Sequence, residues 1–200
     1  MRALRTFVVA ALMATTAWTP THAAERVDLL LVLAADVSNS MDKSKFELQR
    51  SGYAAAFSSP RVIEALRGGP RGRIAAAFIE WSSVLQQKVV IDWTMISNDE
   101  TAHQFGDRIM KAPRAFAGNT TSISAGIDFG ITQLDRAPYK AHRRVLDVSG
   151  DGDNTSGGEP AAARDVAIAK GITINGLIIL TEPPQTSSEC LYQMPGIVRS

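Results

Sequence analysis

Val27-Asp28-Leu29-Leu30-Leu31-Val32-Leu33-Ala34-Ala35 is a nearly unbroken apolar run that stops at Asp36-Val37-Ser38-Asn39-Ser40. A strand wetted on one face alternates polar and apolar residues, whereas a run that is apolar at both parities fits a strand buried on both faces of a parallel sheet. Ligands of such sheets sit outside the carboxyl ends of the strands, at the crevice where strand order reverses, and Asp36 falls there. A second run, Arg143-Arg144-Val145-Leu146-Asp147-Val148-Ser149-Gly150-Asp151, also ends in an acid. Two strand ends are thus expected to face one crevice.

Outward from these runs, strand-like and helix-like segments alternate, as a parallel sheet with helical crossovers requires. Lys43 to Phe57 reads as the first crossover helix, with Phe46, Arg50 and Tyr53 at three- and four-residue spacing and Ser58-Ser59-Pro60 closing it. Gly68-Gly69-Pro70-Arg71-Gly72 reads as a turn; it lacks the Lys-Ser/Thr ending of a phosphate-binding loop. Arg73 to Trp81 and Lys88 to Trp93 read as a hairpin that places one antiparallel strand at the sheet edge. Ser97 and Glu100 have capping-box spacing for a helix reaching Met110. Ser122 to Leu134 is a further helix, with Thr121 at or near its N-cap, where a capping oxygen contributes about 1 kcal/mol. Glu159-Pro160 opens a helix that Gly171 ends, and Ile172 to Leu180 is a further buried strand. The fold class is α/β, doubly wound, with a mostly parallel sheet flanked by helices.

The oxygen-bearing residues at these strand ends suit a hard divalent cation. Mg²⁺ takes near-octahedral oxygen coordination at about 2.0–2.1 Å and commonly keeps waters among its ligands. Asp-x-Ser-x-Ser in a tight loop turns alternate side chains toward one point, so Asp36, Ser38 and Ser40 are candidate ligands. Ser and Asp also occupy ordinary loops by bonding their own backbone, and a capped loop without metal is the competing reading. Asp151-Gly152-Asp153-Asn154 offers a small separate calcium loop as another alternative, although it is too short for the twelve-residue frame of an EF-hand.

In order and rough separation, Asp36-Val37-Ser38-Asn39-Ser40, then Asn119-Thr120-Thr121-Ser122-Ile123-Ser124, then Ser149-Gly150-Asp151-Gly152 resemble the metal-ion-dependent adhesion site of the von Willebrand factor type A domain. The resemblance runs from about Val27 to Leu180. It is closer still to a branch of exported bacterial proteins of this type with no assigned function. It implies Ser38, Ser40 and Thr121 as direct ligands of Mg²⁺ (or Mn²⁺ or Ca²⁺), with Asp36 and Asp151 acting through water. Spacing from Gly118 favours Thr120 for the threonine, while the Thr-Ser-Ile-Ser string favours Thr121. It also implies a non-catalytic module that captures an Asp or Glu side chain of a partner protein at an exchangeable position on the ion. A further strand and closing helix are implied after Leu180, which residues 183–200 do not supply. The resulting expectation is a truncated or frame-shifted end, an uncovered sheet edge near Ile172 to Leu180, lowered stability and a tendency to associate.

The chain has 200 residues and a net charge of +1, which fits one globular domain and gives no electrostatic case for nucleic acid or an anionic membrane surface. Arg2 and Arg5, the apolar stretch from Phe7 to about Trp18, and small residues up to Ala24 read as a cleavable export signal. That apolar stretch is short of the roughly 20 residues needed to span a bilayer. The expected organisation is a leader at 1–24, a domain at 25–182 and an irregular tail at 183–200, with a periplasmic or secreted product lacking a transmembrane anchor. Cys190 stands alone, with no activating surroundings. His22 leaves with the leader; His103 and His142 lie in no motif, and no Gly-x-Ser-x-Gly elbow is present. A metal-assisted phosphate-ester hydrolase built on Asp36 and Asp151 and a scaffold with a vestigial site are the alternative readings of the same residues.

Overall fold

The structure is a computed structural model that describes residues 24–116 and 118–180. The expected leader, irregular tail and Cys190 lie outside the described residues, apart from Ala24 of the leader. Ten elements follow in order: β1 (Leu29–Asp36), α1 (Lys43–Ser58), α2 (Pro60–Arg67), β2 (Ile74–Trp81), β3 (Gln87–Ile96), α3 (Asp99–Lys111), α4 (Ile123–Asp135), β4 (Arg143–Gly150), α5 (Pro160–Ala169) and β5 (Thr173–Ile178). They form a five-stranded sheet of order β3-β2-β1-β4-β5, parallel except for β3.

Strand β1 lies at the centre, and its two parities feed two cores. Leu30, Val32 and Ala34 pack with Ile123, Ile127 and Ile131 of α4 and Ala163 and Ala167 of α5. Leu31, Leu33 and Ala35 pack with Tyr53 and Phe57 of α1, Ile63 of α2 and Phe105 and Ile109 of α3. Burial on both sides explains why the run from Leu29 to Ala35 is apolar at both parities. The chain winds from β1 to β2 in one direction and later inserts β4 on the other side of β1. The reversal therefore falls between the carboxyl ends of β1 and β4.

Helix α4 approaches the sheet closely because two of its positions carry no side chain. A Cβ at Gly126 would lie 2.7 Å from the ring of the buried Trp81, and one at Gly130 would lie 2.5 Å from Leu146. Small Ala75 on β2 lies in the same core as α4, and Ala76 lies in the core on the other face.

Several sequence expectations need correction. Ser59-Pro60 does not simply end α1: Ser59 caps both α1 and a second helix, α2, with Pro60 in its first turn, the position where the missing amide hydrogen is not needed. The capping box of α3 uses Asn98 and Thr101, one residue past the expected pair. The N-cap of α4 is Ser122, whose side chain accepts from the Ala125 amide, so Thr121 lies one residue before the cap, near it as expected, and Ser122 is the cap rather than the first helical residue. Strand β5 is not buried. Most of its residues are exposed, Leu177 at 52%, because it borders the described sheet on the side away from β4.

Candidate functional site

The β1 ladder carries Asp36 to its last position, opposite Trp81 of β2, while Ala35 pairs with Ser149 of β4, two residues before Asp151. Beyond the strand the chain folds back sharply. Oδ1 of Asp36 accepts from the Ser38 amide at 2.7 Å, and the Val37 amide continues the ladder to the Trp81 carbonyl at 2.9 Å. Val37 and Met41 are fully buried, as are Asp36 and Ser38, and it is the hydrogen bonds that group residues 36, 38 and 40. The Ser38 and Ser40 hydroxyls are 3.0 Å apart, and Ser40 donates to Oδ1 of Asp151 at 2.8 Å. Four of the five expected residues thus share one hydrogen-bonded network.

Thr121 comes from the loop entering α4. Ser38 and Gly118 form a parallel β-bridge that lays this loop beside the first. The loop after β4 is stitched to Thr121 in turn: the Thr121 amide donates to the Thr155 hydroxyl at 2.8 Å, and its carbonyl accepts from the amides of Thr155 and Ser156 at 2.8 and 3.1 Å. Three loops therefore meet in one crevice. Thr121 is largely buried as a residue; among the described residues its hydroxyl makes no hydrogen bond, and none of the bonds of Thr121 reaches the other four residues. The Thr120 hydroxyl, by contrast, is a partner of Ser156, at 3.1 Å. Asn154 does not join Asp151 and Asp153 in a separate loop site: its side-chain oxygen accepts from the Ile123 amide at 2.9 Å at the start of α4, and Asp153 is exposed.

Asp36 is fully buried, and its second oxygen, Oδ2, has no hydrogen-bond partner among the described residues. Burial pushes its carboxyl up to about 6, with the Asp151 charge adding to the rise and the Ser38 hydrogen bonds and Arg114 opposing it. A buried polar atom without a partner is uncommon in native proteins and calls for a reason. The donor set consists of hydroxyls and two carboxylates, and among the described residues no group of three His, Cys, Asp or Glu gathers at one point. This chemistry fits a hard, oxygen-seeking ion better than a softer one.

Two cations were not singled out from the sequence. Lys45, in the first turn of α1, places its ammonium 2.6 Å from Oδ2 of Asp151. Arg114, after α3, donates to the carbonyls of Val37 and Ser38 at 2.8 and 2.6 Å. Behind them Glu80 accepts from the Ala115 amide at 2.6 Å and pairs with the buried Arg50. A glutamate interrupting the apolar run of β2 was the sole local signal for this network. The histidines stand apart: His103 is exposed on α3, and His142 is exposed before β4, at the opposite end of the parallel strands.

The family model described as Protein of unknown function (DUF1194) matches residues 26–195. The chain belongs to this family. No curated protein matches this DUF1194 chain. Among solved structures it is similar to proximal thread matrix protein 1 from the mussel byssus with a zinc-occupied MIDAS motif (TM-score 0.58, 15% identity, 76% of this chain). It is also similar to the von Willebrand factor type A protein from Catenulispora acidiphila (TM-score 0.53, 17% identity, 75% of this chain). A third similar structure is the pilus adhesin SpaC from Lactobacillus rhamnosus GG in its open conformation (TM-score 0.52, 14% identity, 75% of this chain). This DUF1194 chain spans 38%, 33% and 24% of those chains, respectively. Its fold is that of the von Willebrand factor type A domain. At such identities the likeness is one of fold, and function has to be argued from the site.

Proposed function

We propose that this DUF1194 protein is a non-catalytic, divalent-cation-dependent protein-binding module of the cell envelope. The observation that carries the reading is Asp36 Oδ2, a buried carboxylate oxygen without a partner among the described residues, beside the linked hydroxyls of Ser38 and Ser40. Burying a carboxylate oxygen without a partner is costly, and a cation supplies one. In this reading Ser38, Ser40 and Thr121 hold Mg²⁺ or a similar ion directly, while Asp36 and Asp151 orient the hydroxyls and bound water. The unengaged Thr121 hydroxyl supports it over Thr120 for this role. When bound, the ion supplies an electrophilic position that takes a carboxylate. Neutral hydroxyl ligands leave much of its charge unquenched, which suits capture of an Asp or Glu side chain from a partner protein. The adhesin and matrix proteins with the same fold support an interaction role.

The leader at 1–24 delivers the domain at 25–182 to the periplasm or beyond. Among the described residues no helix is long and apolar enough to cross a membrane. Neither exposed histidine approaches the crevice to act as a base, which favours binding over hydrolysis.

Calorimetric titration of Mg²⁺ and Mn²⁺ into the mature protein and Asp36→Ala tests the reading. Saturable binding that is lost in the variant is expected, together with chelator-sensitive capture of an envelope protein. Equal cation affinity in both proteins would refute the metal assignment. Phosphomonoester turnover that disappears in Asp36→Asn would replace the binding module with a hydrolase.

A further inference from the structure

Both oxygens of Asp151 are already engaged. Oδ1 accepts from the Ser40 hydroxyl at 2.8 Å, and Oδ2 holds the Lys45 ammonium at 2.6 Å. The carboxylate is fully buried, the lysine side chain is 24% exposed, and its ammonium also reaches the Ser40 carbonyl at 3.4 Å. The contrast with Asp36, whose Oδ2 has no donor among the described residues, is marked: one carboxylate of the pair has a cation in direct contact and, among the described residues, the other does not.

The helix does not account for the position of Lys45. Its amide is held by the Asp42 cap at 2.9 Å, in the first turn of α1, where the macrodipole disfavours positive charge. Two residues earlier Lys43 follows the ordinary pattern, with an 88% exposed side chain and a loose 3.7 Å pair to Glu47. Lys45 instead reaches across to the loop after β4. Of the two carboxylates of the crevice, Asp151 is paired directly with Lys45, whereas Arg114 bonds the Val37 and Ser38 carbonyls rather than Asp36 itself.

We propose that Lys45 is a tethered competitor of the metal: its ammonium neutralises Asp151 and must give way when a divalent ion enters, so that it sets the affinity of the site. The proposal rests on the metal-binding reading above and names a residue of this chain that tunes it. A like charge held within a few ångströms of an incoming cation opposes binding even at the screened dielectric of a protein surface, and the bonds Lys45 makes to Asp151 and Ser40 are lost in the exchange. Removing the ammonium therefore strengthens cation binding, although it removes an ion pair from the protein.

Mn²⁺ titration of the mature protein, Lys45→Met, Lys45→Arg, Lys43→Met and Asp36→Ala tests this. Lys45→Met is expected to bind about tenfold more tightly than the parent, Lys45→Arg no more tightly than the parent, and Lys43→Met like the parent. In chelator Lys45→Met is expected to melt below the parent, and saturating Mn²⁺ should erase that difference. If Lys45→Met binds no tighter, or if Lys43→Met tightens binding as much, the role of Lys45 is overturned while binding that is lost in Asp36→Ala keeps the metal site standing. Absence of Mn²⁺ binding in both the parent and Lys45→Met overturns both readings.

Discussion

Asp36 ends β1 with one oxygen on the Ser38 amide and the other buried without a partner among the described residues, and this arrangement carries a cost in stability. Its carboxyl is raised from 3.8 to about 6, chiefly by burial. The folded state therefore binds this proton more tightly than the unfolded chain. The sign follows: with the acid protonated at pH 4 or below there is no penalty, stability falls as pH rises from about 4 to about 6, and the penalty stays constant above. A shift of about two units corresponds to at most about 3 kcal/mol. In chelator, Asp36→Asn, which keeps the acceptor for Ser38, is expected to be more stable than the parent at pH 7 by up to that amount, with the gain vanishing near pH 4. Urea unfolding at both pH values checks this, and an unchanged midpoint at pH 7 would count against a costly Asp36. The same variant should lose Mg²⁺ binding, the exchange of stability for function expected of a binding residue.

Helix α4 shows how an element positions the site and how far the sequence reveals it. Its packing depends on the bare surface at Gly126, facing the rigid, buried Trp81 ring, and α4 follows directly from the loop of Thr121. Gly126→Ala is expected to destabilise by about 1–3 kcal/mol through overpacking and to weaken cation binding by displacing that loop. Gly52→Ala makes the opposite case. Gly52 lies within α1, and a Cβ there meets nothing within 4 Å, so a gain of about 0.4–1 kcal/mol is expected from the unfolded chain alone. Denaturant midpoints and Mn²⁺ affinities of the two variants test the contrast. Hydrophobic parity made β1 and β4 readable, and a turn between apolar runs made the β2–β3 hairpin readable. Helix α2 is not legible locally because a proline after a helix marks a stop and a start equally well, and Pro60 stands at a start. The spacing Asp36-x-Ser38-x-Ser40 was local and legible, as was the acid after β4. Lys45 and Arg114 were not legible, because their partners, Asp151 and the Val37 and Ser38 carbonyls, lie 76 to 106 residues away along the chain. No local pattern encodes such a meeting.

At the scale of the molecule, the crevice is anchored to the opposite layer through a buried charge. Arg50 of α1, 2% exposed, lies between the Phe46 and Phe78 rings at 4.8 and 4.5 Å, bonds the Ile109 carbonyl of α3 at 3.2 Å and pairs with Glu80 of β2. Glu80 in turn holds the Ala115 amide, next to the Arg114 that grips the loop of Ser38. Burial lowers the Arg50 pKa and raises that of Glu80, so each charge resists its surroundings and depends on the other. Removing one partner strands a charge in the core, at a cost of about 3–5 kcal/mol, whereas apolar replacement of both is often close to neutral. Arg50→Met is therefore expected to destabilise by roughly that amount, and Arg50→Met with Glu80→Met to recover most of it. The binding site should not recover with it. Without Glu80 the Ala115 amide has no acceptor, the loop bearing Arg114 loosens, and cation affinity falls in the double variant even where its urea midpoint matches the parent. If affinity is restored together with stability, the pair serves the core alone. If stability returns while affinity stays low, the buried pair between α1 and β2 is what holds the rim of the crevice in place.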